Sequence, residues 1–171
     1  MRFLVGLTFA LLASAPPVLA AKMDLAVEIP RLDVAEYHRP YVAAWLERDD
    51  HSTAAQLAVW YDVANRKEDG AKWLKDLRQW WRRGGRELAV PVDGVTGATR
   101  PAGVQQLTFD DSRPPLDALA QGHYTLVVEA TREVGGREVL RIPFDWPGTT
   151  AQHLSAQGER ELGRVTLDIN P

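Results

Sequence analysis

The chain has 171 residues, of which 20 are basic and 23 acidic, and it contains four His and no Cys. A formal net charge of −3 argues against nucleic acid as a partner. The lack of Cys excludes a disulfide framework, a thiolate metal site and a catalytic thiol.

Residues 1–20 read as a secretory signal peptide. Arg2 is the short basic region, 3–13 the apolar core, and Val18-Leu19-Ala20 a small-residue cleavage site. The apolar run is short for a bilayer and ends at Pro16-Pro17. The expected mature protein is one domain over 21–171, exported to the periplasm, with no transmembrane segment. Without Arg2 its charge falls to near −4.

Most of the remaining pattern is β. Met23, Leu25, Val27 and Ile29 alternate with polar or small residues, as in a half-buried strand. Strands are expected next over 41–46, 57–63 and 104–109. Alternation at 124–130, a hairpin turn at Gly135-Gly136 and a return strand over 140–144 follow. Pro143 predicts that this return strand is an edge. Val165, Leu167 and Ile169 form the last strand. Several short strands with turn signals between them predict an all-β sandwich.

One amphipathic helix interrupts the β pattern. Trp73, Leu74, Leu77, Trp80 and Trp81 fall on one helical face. Asp69 is the expected N-cap and Gly84-Gly85 the stop. The tryptophans read first as core. A sharper reading has Trp80 or Trp81 packing against a planar ligand, and a third makes them a sugar-binding platform. Glu129, Arg132 and Glu133 read as a charged strand face. The four His have no metal-ligand spacing, and no Ser lies in a nucleophile-elbow context. No catalytic or metal-binding residues are assigned.

The chemistry-bearing stretch is Asp93-Gly94-Val95-Thr96-Gly97-Ala98-Thr99. It resembles the flavin-attachment motif Asp-x-x-(Ser/Thr)-Gly-Ala-(Thr/Ser), with every specified position matched. The resemblance implies that an extracytoplasmic flavin transferase cleaves FAD and joins FMN by a phosphoester to Thr99. The residue types suit that chemistry. Thr99 supplies the hydroxyl, and Gly97 and Ala98 keep the backbone slim. Asp93 and Thr96 can bond local N–H groups, and Arg100 can balance phosphate charge. The motif departs from many such domains in that Arg100-Pro101, not a further Ser/Thr, follows the acceptor.

A second resemblance covers most of the mature chain. The stretches RPYVAAW (39–45), WLKDLRQWWR (73–82), VDGVTGATRP (92–101) and YTLVVEATRE (124–133) are similar to a bacterial periplasmic family of unknown function. That resemblance implies an immunoglobulin-like sandwich, with association to PepSY-type membrane reductases. Together the two imply an electron-transfer protein whose covalent FMN is bound by Asp93, Thr96, Gly97, Ala98 and Thr99, with Trp80 and Trp81 beside the ring. The alternatives are a flavin-free periplasmic adaptor or ligand-binding module, and a carbohydrate-binding module.

Overall fold

The computed structural model describes residues 20–64 and 70–171. The signal-peptide stretch 1–19 and the expected cap Asp69 lie outside the described residues. Among the described residues, nine strands form two sheets. They are β1 (Lys22–Ile29), β2 (Tyr41–Glu47), β3 (Thr53–Tyr61), β4 (Thr96–Ala98), β5 (Gly103–Asp110), β6 (Gly122–Thr131), β7 (Arg137–Trp146), β8 (Gln152–Gln157) and β9 (Arg164–Asn170). One sheet runs β5-β1-β9-β8 and the other β4-β3-β2-β6-β7. The fold is therefore the expected all-β sandwich. The succession β9-β1-β5 against β7-β6-β2-β3 follows the A-B-E and G-F-C-C′ order of immunoglobulin sandwiches. Here the C-terminal strand β9 takes the position of the first strand.

Alternation explains the four-stranded sheet. In β1, Met23, Leu25, Val27 and Ile29 are buried, and in β9 so are Val165, Leu167 and Ile169. These side chains meet Val42, Ala44 and Leu46 of β2 and Leu126, Val128 and Ala130 of β6 in the sandwich interior. Pro143 sits in β7, the edge of its sheet, where a missing N–H is tolerated.

The five-stranded sheet is buried on its outer face as well. Ala43, Trp45, Val59, Tyr61 and Val127 form a second cluster there with Leu74, Leu77, Trp80 and Val95. The covering segment is not one helix, as the periodicity predicts. It is a 3-10 stretch over Gly70–Asp76, a short helix α1 (Arg78–Arg82) and a 3-10 turn over Gly85–Glu87. The break falls at Leu77, whose ψ of 73° is not helical. Leu74, Leu77 and Trp80 still point inward, whereas Trp73 turns out to water. Gly84 ends α1 at a φ of 125°, as a stop glycine should.

Two buried carboxylates anchor this layer. Glu129 accepts the backbone N–H of Gln79 at 3.1 Å and of Trp80 at 2.8 Å, and pairs with Arg137 at 3.1 Å. It thereby caps α1 from a neighbouring strand, so it is not part of an exposed charged face. Glu47 accepts bonds from Trp45, His51 and Arg141. Burial pushes its carboxyl up, but Arg141, Trp45 and His51 outweigh that and hold it below the ordinary value.

The β6–β7 hairpin is tied to the β8–β9 loop by two more acids. Glu138 accepts four backbone N–H groups, those of Glu159, Arg160, Glu161 and Leu162, at 2.7–3.0 Å. Glu161 pairs with Arg132 at 2.8 Å, with both side chains almost fully buried. Partial burial raises the Glu138 carboxyl, while the four N–H bonds lower it further, for a net fall below 4.5. Its stabilisation is complete above 4.5 and is lost as pH falls through the depressed folded value. Glu138→Gln should cost about 2 kcal/mol at neutral pH. It should also flatten the loss of stability expected below pH 4.5, as read by urea titrations at several pH values.

Candidate functional site

The motif folds as a turn leading into an edge strand. Gly94 takes a φ of 74° and Asp93 is exposed. The turn closes on itself through the Val95 and Thr96 N–H groups, which donate to the Val92 carbonyl at 3.2 and 2.8 Å. The Thr96 hydroxyl accepts the Val92 N–H at 2.8 Å, which ties both ends of the turn together. Val95 is buried beneath it.

Thr96–Ala98 then pairs parallel to β3, with Thr96, Gly97 and Ala98 opposite Val59, Trp60 and Tyr61. The Thr99 N–H donates to the Tyr61 carbonyl at 3.1 Å and fixes the backbone just past the strand. Gly97 lies on the Trp60 indole, and a Cβ there would come within 3.2 Å of it. The Arg100 guanidinium stacks 5.3 Å from the centre of the same ring. A side chain at 97 would crowd the indole that the chain crosses. This constraint is tertiary and adds to the backbone freedom read from the motif.

Thr99 opens onto a groove of about 770 Å³. The groove lies between the 37–41 segment, the 3-10 stretch carrying Trp73, Asp76 and α1's Arg78, and the hairpin tip at 131–137. Its size is within the about 300–1,000 Å³ of small-molecule sites. Trp73 and Tyr37 give it aromatic surface at 43% and 39% exposure. Arg39 and Arg78 add positive charge, and Asp62, Asp76 and Glu133 negative charge. Tyr41 donates to the Gly70 carbonyl at 3.2 Å. Burial raises its phenol above the ordinary value, a hydrogen bond with the Asp62 backbone opposes this, and the negative charges of Asp62 and Glu133 favour the rise. It therefore stays protonated at neutral pH.

The other sequence candidates lie elsewhere. Trp80 is 0% exposed, and its indole N–H donates to Gln56 at 2.8 Å. It has no face open to a ligand. Trp81 is half-buried against it at 6.3 Å and does not line the groove. Trp73, read from the sequence as part of the apolar helical face, is the tryptophan that does. A separate, smaller pocket of about 390 Å³ lies at the opposite end of β6 and β7 and contains none of the motif residues.

The fold is a β-sandwich with a solvent-facing groove beside an edge strand. The chain belongs to the DUF2271 family of predicted periplasmic proteins, whose model matches residues 22–164. No curated protein and no solved structure gave a match. No helix among the described residues is long and apolar enough to cross a membrane.

The close approach at Gly97 gives a direct test of the loop geometry. Gly97→Val should push β4 off Trp60 and cost about 1–3 kcal/mol, as overpacking does. Denaturant unfolding followed by tryptophan fluorescence measures that loss.

Proposed function

We propose that this protein is a periplasmic electron-transfer protein carrying FMN on Thr99. The observation that carries the reading is that the last residue of the complete motif borders the large aromatic-lined groove. The residues around it fit such a group. The groove has the volume for a flavin, an exposed indole and phenol for a planar ring, and Arg39 and Arg78 for charge.

In the attachment step, the Thr99 oxygen forms a bond to the FMN phosphorus of FAD. The pyrophosphate bond breaks, AMP leaves, and the hydroxyl proton passes to a base of the flavin transferase. Bound flavin supplies electron transfer, and the protein holds and tunes it. Thr96 holds the turn, Gly97 lets the strand approach Trp60, and the Thr99 N–H bond to Tyr61 presents the acceptor at the groove. The redox partner under this reading is a PepSY-type membrane reductase. Export by a signal peptide cleaved after Ala20 brings the chain to the compartment of the transferase.

The test is periplasmic co-expression with a flavin transferase, then intact mass and in-gel flavin fluorescence. Wild-type protein should begin at Ala21 and gain one FMN unit. Thr99→Ala should lose all covalent flavin at a stability cost of about 1 kcal/mol or less. Thr99→Ser should retain part of it, because the nucleophilic oxygen remains. Thr96→Ala should reduce labelling without moving the site, and cost about 1 kcal/mol through the freed Val92 N–H. Unlabelled wild-type protein beside a labelled acceptor control overturns the reading in favour of a flavin-free binding module.

A further inference from the structure

The six tryptophans divide sharply by exposure. Trp45, Trp60, Trp80 and Trp146 are 2% exposed or less, Trp81 is half-buried, and Trp73 stands 43% exposed. An indole can bury about 150–250 Å², and of the six Trp73 keeps the largest share of its surface in water. The local backbone accounts for its direction. In the 3-10 stretch Leu74 takes the inward position, and the break at Leu77 removes Trp73 from the face shared by Leu77 and Trp80.

Two further facts concern the surroundings of Trp73. It lines the same groove as Thr99. The Lys72 and Lys75 ammonium groups lie 5.0 and 5.5 Å from its ring centre. These ammonium groups lie over the indole on flexible stems, so a planar ring stacks there by displacing a lysine, whose charge then suits the phosphate tether.

We propose that Trp73 is the side chain that stacks on the isoalloxazine ring of FMN held at Thr99, in place of Trp80 or Trp81. This rests on the reading of Thr99 as the attachment site. Trp73 is a positioning residue for the ring and takes no part in forming the phosphoester. Flavin attachment and ring stacking are therefore separable by experiment.

An indole in contact with a flavin ring quenches its fluorescence by short-range electron transfer. The experiment uses wild type, Trp73→Leu, Trp73→Phe and Trp81→Phe, each co-expressed with a flavin transferase. Intact mass first establishes one FMN per chain, and circular dichroism establishes the fold. Fluorescence per flavin is then compared in native buffer and in denaturant, where stacking is lost. Wild type should brighten severalfold on unfolding. Trp73→Leu should already be bright when folded, Trp73→Phe intermediate, and Trp81→Phe as quenched as wild type. A fully flavinylated, folded Trp73→Leu that is as dim as wild type overturns the proposal, as does release of quenching by Trp81→Phe alone. Wild-type protein without FMN mass overturns attachment itself, and stacking with it.

Discussion

The outer face of the five-stranded sheet has to be covered. Ala43, Trp45, Val59, Tyr61 and Val127 present apolar surface there, and Glu47 and Glu129 place two carboxylates in the same layer at 0% exposure. Apolar burial favours a cover, and a buried charge demands partners. The segment from Gly70 to Glu87 meets both requirements. Leu74, Leu77 and Trp80 fill the apolar surface, and the first N–H groups of α1 meet Glu129. A helix of five residues has little stability of its own. It persists because the sheet supplies its cap and its hydrophobic partner.

The position of that cover decides the site. Trp73 precedes the break at Leu77 and faces outward, and Arg78 follows it at the rim of the groove. The chain then returns through 88–95, buries Val95 and adds β4 to the edge of β3. The Tyr61 carbonyl both ends the β3 ladder and holds the Thr99 N–H. The motif is thus carried by a rigid strand on one side and a slim, crossing backbone on the other. The attachment proposed for Thr99 needs a loop that is both reachable and held in place, and that combination supplies it.

The opposite wall of the groove is the tip of the β6–β7 hairpin, and it is held by charge. Arg132 is locked to Glu161, Glu161 also accepts the Gly136 N–H at 2.7 Å, and Glu138 gathers the 159–162 backbone. Val134 extends from that tip at 77% exposure with a φ of 53°. A buried ion pair of this kind adds little net stability over an apolar substitute, but losing one partner is costly. Its effect here is geometric, because it fixes the hairpin against the second sheet.

The sequence by itself determined the sandwich, because strands half-buried against one core carry a period of two. That pattern located β1, β6, β7 and β9, the turn between β6 and β7, and the edge position of Pro143. It missed β8, where Leu154 and Ala156 are only partly buried among polar neighbours. It began β3 late, because Thr53 to Gln56 are small or polar, and ran it past Tyr61 to Val63. The motif was legible as residues, but not as a strand. Three residues are too few to show a period, and β4 exists only because β3 lies beside it. The tryptophans show the same limit. A helical period placed Trp73 with Trp80 and Trp81 on one face. Only the bonds from Glu129 and the packing on Trp45 and Val59 set where the helix starts, and so which indole is left in water. Periodicity records which side chains seek burial, whereas the choice among competing ones is made by contacts between residues far apart in the chain.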